Sequence, residues 1–310
     1  MMAAFLAVIG ILLLAIDRTP KRGRERWQAI LFLLPAIFLL LVGLIVPIFA
    51  TAISSLTNEA GHFTGFKNFS WAFGDSQVRT AIYNTLRWVI IAPIIATVVG
   101  LAYAYAIDGI KGEALAKALV FLPVAISFVG AAVIWKLMYQ EPGLEPEGLV
   151  NVVLGWVGVK PLGFPTNSHT ITYLLIVIMI WIQAGFATVV LSAAIKGVPT
   201  EMIEAAKIDG ANAWQAFRKV TIPSIRPSII VVMVTVSIAT LKVFDLVQAF
   251  GAQQYGGDVL ANKMYITYQQ AGIGSIGEHR SSALAMIIFV LVIPFVAFQV
   301  RQMINNRRVR

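Results

Sequence analysis

Apolar residues run along this chain in six long, nearly unbroken stretches: Ile30–Ser54, Trp88–Ile107, Ala118–Trp135, Ile171–Ile195, Ser228–Phe250 and Ser281–Val300. A hydrocarbon core about 30 Å thick takes roughly 20 helical residues to cross, and each stretch meets or approaches that length. In lipid a helix satisfies its own backbone hydrogen bonds, so the pattern predicts six spanning helices. A seventh run, Met2–Ile16, has 15 residues, which is short for a span. It resembles a signal h-region, but basic residues follow it instead of preceding it, and no small-residue cleavage site stands out. The expectation is a retained helix with its N-terminus outside. The chain then divides into residues 1–29, a first helix with a basic cytoplasmic linker, and residues 30–310, the transmembrane domain. The predicted fold is an all-α polytopic helical bundle.

Composition agrees with the pattern. The 310 residues are 58% hydrophobic and 13% charged, with a mean hydropathy of +0.81; soluble domains run nearer 45–50% apolar and roughly 25% charged. This excludes an ordinary soluble enzyme and a disordered chain. The absence of cysteine excludes disulfides, thiolate metal sites and cysteine nucleophiles. The net charge of +9 raises the question of nucleic acid, and its distribution answers it. With residues 17–29, 108–117, 196–227 and 301–310 inside, sixteen of the 24 lysines and arginines are cytoplasmic. Five (Lys67, Arg79, Lys160, Lys263, Arg280) fall outside, and Arg87, Lys136 and Lys242 lie within or beside spans. That asymmetry is the positive-inside rule, so the basic balance sets topology and points to anionic lipid, with no nucleic-acid partner.

Pro35, Pro47, Pro93, Pro123 and Pro294 fall in the spans. They read either as ordinary membrane-helix irregularity or as kinks along a path that opens and closes. The outer segments 55–82, 140–169 and 251–280 carry aromatics, turn residues and glutamines. They offer surfaces for an extracytoplasmic partner. His62, His169 and His279 all fall in these segments and read as surface residues.

The loop from Lys196 to Pro227 is the informative segment. Pro199 and Thr200 suit a helix start, and Glu201 and Glu204 complement the positive end of its dipole. Glu204-Ala205-Ala206 favours helix, Gly210 stops it, and Asn212 with Gln215 forms a capping-box pattern for a second helix. Pro223 and Pro227 are expected to end that helix before the next span. Trp214, Phe217 and Val220 give it an apolar face, which packs either on this chain's own span ends or in a cleft of another subunit.

Glu204-Ala205-Ala206, three residues, Gly210, nine residues and Val220-Thr-Ile-Pro223 resemble the EAA motif of ABC importer permeases, with Val220 and Ile222 as conservative departures. Asp209-Gly210-Ala211, Phe217, Gly65-Phe66-Lys67-Asn68-Phe69, Asn84-Thr85-Leu86, Phe121-Leu122-Pro123 and Lys242-Val-Phe-Asp245 resemble the carbohydrate-uptake branch, of maltose and alpha-glucoside type. The likeness runs from about Ile30 onward. It implies a non-catalytic permease subunit that moves a sugar, an oligosaccharide or alpha-glucoside, by alternating access. It also implies a second homologous permease, a dimer of cytoplasmic ABC ATPases carrying ATP and Mg, and an extracytoplasmic sugar-binding protein. The chain has no Gly-Lys dipeptide and so no P-loop, which fits nucleotide on a separate polypeptide.

By that resemblance Glu201, Glu204, Ala205, Ala206, Asp209, Gly210, Trp214 and Phe217 couple to the ATPase. Glu204 makes a charge-assisted contact, the alanines permit close approach, and Gly210 gives the bend. Gln183, Phe186, Thr240, Lys242 and Asp245 are the candidate sugar path. Lys242 and Asp245, at i, i+3 spacing, read equally as a structural ion pair. The chain lacks the asparagine cluster of the maltose permease there. The competing class is a proton- or ion-coupled carrier of a small polar solute, which would show more spans and more intramembrane acids or histidines. An intramembrane enzyme would need a nucleophile–base pair or metal cluster at depth, and neither stands out.

Overall fold

The structure, a computed structural model, describes residues 24–140, 148–159, 170–272 and 274–308. The short run Met2–Ile16, Lys160 and His169 lie outside the described residues. Everything described is helix and turn, apart from one isolated bridge between Thr57 and Phe63. The chain is an all-α membrane protein. Among the described residues, five helices are long and apolar enough to span, or six if one sharply bent pair is counted as a span.

Helices α1 (Arg24–Leu40) and α2 (Val46–Ser55) form the first span, joined by a π turn at Leu41–Ile45. The Val46 N–H bonds Leu41 O, five residues back, immediately before Pro47. Widening the helix by one residue there absorbs the donor that proline lacks. This span presents Phe32, Leu39 and Phe49 outward. So continuous an apolar surface is stable only against lipid or another apolar protein face.

A cap follows: α3 (Lys67–Gly74) packs on the ends of the spans. Asn68 is buried and donates to Ser55 O and Thr57 O, both at 3.0 Å, closing off the C-terminal carbonyls of α2. Trp71 lies under the Arg280 guanidinium, 4.6 Å from its carbon to the ring centre. His279 Nδ1 lies 2.9 Å from Ser54 O. The histidine and the Gly65–Phe69 segment are therefore fasteners between the first and last spans.

The second span, α4 (Ser76–Ala106), begins twelve residues earlier than the apolar run, because Asp75 caps it by accepting from the Gln77 and Val78 N–H groups. At 31 residues it is about 46 Å long. The third apolar run is not one straight helix. α5 (Glu113–Phe121) runs into a 3-10 turn at Leu122–Ala125, and α6 (Phe128–Met138) leaves at 99° to that segment. Pro123 sits in the turn and Ser127 caps α6 through a bond from Gly130 N–H, so both sides of the bend are written locally. A short helix, α7 (Leu149–Trp156), follows.

Helix α8 (Ile171–Lys196) is the central post, buried on most of its circumference. Its apolar sequence has no polar face because neighbours surround it. Two glycines set the spacing. A Cβ at Gly185 would collide with the Val120 carbonyl oxygen beside the bend, and one at Gly100 would strike Ala187 of α8. After the loop come α9 (Thr200–Ile208), α10 (Ala213–Ala216) and α11 (Ile222–Leu241). Beyond these, α12 (Asp245–Phe250) and α13 (Leu260–Ala271) lead to the last span, α14 (Ile276–Arg308).

Two expectations change here. Pro223 and Pro227 do not end the second loop helix: Ala213–Leu241 is one continuous rod. A second π turn, Phe217–Thr221, precedes Pro223, and Ile222 N–H bonds Phe217 O. It is the same device as before Pro47. The fifth span stops at Leu241 instead of Phe250, with a break before α12.

Candidate functional site

The hairpin of α9 and α10 is built from local chemistry. α9 ends in a left-handed glycine: Gly210 has φ +85°, Gly210 N–H bonds Lys207 O at 3.0 Å and Ala211 N–H bonds Ala206 O at 2.9 Å. These two bonds satisfy the last carbonyls of the helix, and the positive φ favours glycine. Asn212 then opens α10. Its Oδ1 accepts from Gln215 N–H at 2.8 Å, and Gln215 Oε1 accepts from Asn212 N–H at 2.9 Å. The capping box anticipated from sequence is present.

The apolar face divides between the two readings left open for it. Phe217 is 6% exposed and packs on Tyr105, in the last turn of α4, with ring centres 4.1 Å apart. Trp214, 5.7 Å from Phe217, stays 58% exposed. Phe217 therefore roots the hairpin in its own bundle, and Trp214 is free for a partner. Ile208 is 86% exposed and Met202 is also open. Both extend the uncovered apolar surface, and neither stood out beside the motif. Glu201, Glu204, Ala205, Asp209 and Gly210 are exposed, with Ala206 half-buried. The carboxylates of Glu201, Glu204 and Asp209 make no ion pair among the described residues.

An ionic node holds the stem. Lys196, the last residue of α8, lies 2.9 Å from Glu113 and 3.8 Å from Asp108. Glu113 also pairs with Lys117 at 2.5 Å and accepts from Gly109 N–H. Residues 83 positions apart thus join the start of the hairpin to the start of the bent α5–α6 pair. Nothing local in the sequence marks that pairing.

The candidate path residues are placed less uniformly. Gln183 and Phe186 are half-buried on α8. Thr240 is fully buried and donates to Ser237 O at 2.8 Å, so it seals the helix end instead of facing a path. Lys242 and Asp245 do not share a helix face: Lys242 caps α11, and Asp245 begins α12 beyond the break. Both are exposed and form no ion pair with each other among the described residues. The structural-pair reading is thereby removed. The i, i+3 arithmetic assumed a helix that the Lys242–Phe244 break interrupts. Ile182, beside Gln183, shares a buried cluster with Val243 and Leu246, which brings this level of α8 next to the break.

At the far end of α4 from the hairpin, Asn84 donates to Gly256 O at 2.8 Å and Asp258 O at 2.9 Å. Thr85 accepts from Leu260 N–H at 2.9 Å. The Asn84-Thr85 pair is thus a clamp on the loop after α12. Burial pushes the Asp258 carboxyl up from the usual carboxylate range, although Asn262 and Val259 N–H both donate to it.

The described spans form a helical membrane bundle that carries one exposed, rigidly capped hairpin. The chain belongs to the family of binding-protein-dependent transport system inner membrane components, whose pattern matches residues 111–310. It is 42% identical over 274 residues to the alpha-glucoside transport system permease protein AglF of Rhizobium meliloti (strain 1021), covering 87% of this chain and 81% of that protein. It is 38% identical over 286 residues to the osmoprotective compounds uptake permease protein GgtC of Synechocystis sp., covering 90% and 100%. Among solved structures it resembles a chain of the bacterial alginate ABC transporter in complex with alginate pentasaccharide-bound periplasmic protein. The TM-score is 0.75, with 26% identity over 90% of this chain and 94% of that one.

Proposed function

We propose that this chain is one of two permease subunits of an ATP-driven importer and that it moves a neutral oligosaccharide, an alpha-glucoside, by alternating access. The observation that carries the reading is the hairpin. Its exposed acids and its uncovered Ile208 and Trp214 sit on a capped turn fixed to the spans by Phe217. A dimer of cytoplasmic ATPases, which binds the ATP and Mg, receives this surface. Glu204 faces a basic group there, and Ala205 lets the backbones approach. Movement then passes along the Ala213–Leu241 rod and through the Lys196–Glu113 node to the bent pair. The hairpin and the C-terminus are cytoplasmic, the N-terminus is outside, and a sugar-binding protein delivers substrate at the opposite end. The identity to the alpha-glucoside permease supports the substrate class. Gln183, Phe186, Lys242 and Asp245 line the route.

Reconstitution of the purified assembly in vesicles tests this. Sugar uptake should need ATP and binding protein and proceed without a proton gradient. Glu204→Lys should abolish uptake and leave the subunit folded in the membrane. Uptake driven by a gradient alone would contradict the reading, as would unchanged transport by that variant.

A further inference from the structure

At the end of α4 opposite the hairpin, a cleft of about 700 Å³ opens between α4, α12 and α13. Its volume lies within the roughly 300–1,000 Å³ of small-ligand sites. The lining is dominated by one chemistry: Gln77, Gln248, Gln253, Gln254, Gln269 and Gln270 all face it. A carboxamide offers two donors and an acceptor without charge, which matches vicinal hydroxyls that each donate and accept. One cation and one acid, Lys263 and Asp258, also line the cleft, and they offset each other. Lys263 is already held by Gln77 at 2.6 Å.

The cleft is built and not merely left over. Gly251 and Gly256, with φ of +77° and +74°, bracket the 3-10 turn Ala252–Tyr255 that carries Gln253 and Gln254. The Asn84 clamp fixes that turn's exit. The side chains of Gln248, Gln253, Gln254 and Gln270 make no hydrogen bond among the described residues. Gln253 Oε1 is buried without any partner. That oxygen is itself shut off from the cleft, and the open amides of Gln248, Gln254 and Gln270 are the groups placed to meet ligand hydroxyls. The cleft also adjoins the candidate path, since Gln248 lies one helical turn beyond Asp245 on α12.

We infer that this glutamine-lined cleft is a receiving site that holds an uncharged, polyhydroxylated ligand, a neutral glycoside, as it enters the permease. The inference rests on the importer reading and deepens it. A uronate or sugar phosphate would need cations beyond Lys263, which Gln77 already engages and Asp258 offsets. A site that retains sugar at the entrance raises the fraction of ATP turnovers that deliver one.

The test is the ratio of sugar imported to ATP hydrolysed, measured in vesicles with the complete assembly and with maltose and trehalose as probes. Gln254→Leu and Gln248→Leu change exposed positions and keep side-chain volume; together they should lower the ratio about fivefold, the scale of losing one or two hydrogen bonds. Gln254→Asn with Gln248→Asn should restore part of it. An unchanged ratio would overturn the receiving site and leave the importer reading intact. An equal fall in import and hydrolysis, again leaving the ratio unchanged, would assign this face to protein docking. A wild-type assembly that hydrolyses ATP and moves neither sugar would overturn the sugar-importer reading and this site with it, a result distinct from normal transport by the variants.

Discussion

The two ends of α4 are built on opposite principles. At the hairpin end Tyr105 meets Phe217, and the open groups include large apolar side chains and acids as well as Lys207. At the far end Asn84 and Thr85 hold a loop by hydrogen bonds, and the open groups are uncharged amides. Aromatic packing makes a stiff root for the exposed hairpin. Unpaired amides line a cleft whose donors and acceptors suit hydroxyls. One helix thus joins an aromatic-rooted end to an amide-lined end about 46 Å apart.

The sharpest way to break the contrast is Gly210→Pro. A proline is fixed near −65° and cannot adopt the +85° of this position, so the α9–α10 turn should be lost. Uptake should vanish, with the subunit still present in the membrane by immunoblot. Phe217→Ala should be next, costing about 3 kcal/mol in thermal unfolding and loosening the hairpin from α4. Asn84→Ala removes three side-chain bonds at the other end, two donated and one accepted from Arg87, and strands two carbonyls. A loss of about 1–3 kcal/mol is expected, with hydrogen exchange rising in residues 251–260 and not in the hairpin. Trp214→Ala should change stability by less than about 0.5 kcal/mol and yet reduce binding-protein-stimulated ATP hydrolysis. Equal effects of the Phe217 and Trp214 variants on both measurements would erase the distinction between root and contact.

The hairpin end was legible because its determinants lie within some twenty consecutive residues. Pro199, Gly210 and the Asn212–Gln215 box each act locally, and the motif fixes their order. Five of the spans were legible for the same reason, from runs of apolar residues. The bend after Phe121 and the break after Leu241 were not, since hydropathy is blind to helix direction. Pro223 misled because a π turn just upstream absorbed its missing donor, and Pro227 because it is accommodated inside α11. The Lys196–Glu113 node and the cleft draw on residues far apart in the chain, so only the packing of α5 on α8 and of α12 and α13 beside α4 brings them together. Thr240 illustrates the limit: its type suits a sugar path, but its fully buried position does not.

The central claim is that the open hairpin meets a nucleotide-hydrolysing subunit. The chain contains no cysteine, so Ala205→Cys creates a single thiol at the exposed turn, and Gln254→Cys creates one at the far end. Bifunctional cross-linking in native membranes should join the Ala205→Cys chain to an ATPase, with a yield that changes on adding ATP, and should join the Gln254→Cys chain to none. Capture of the ATPase from position 254, or its absence at position 205, would contradict the account.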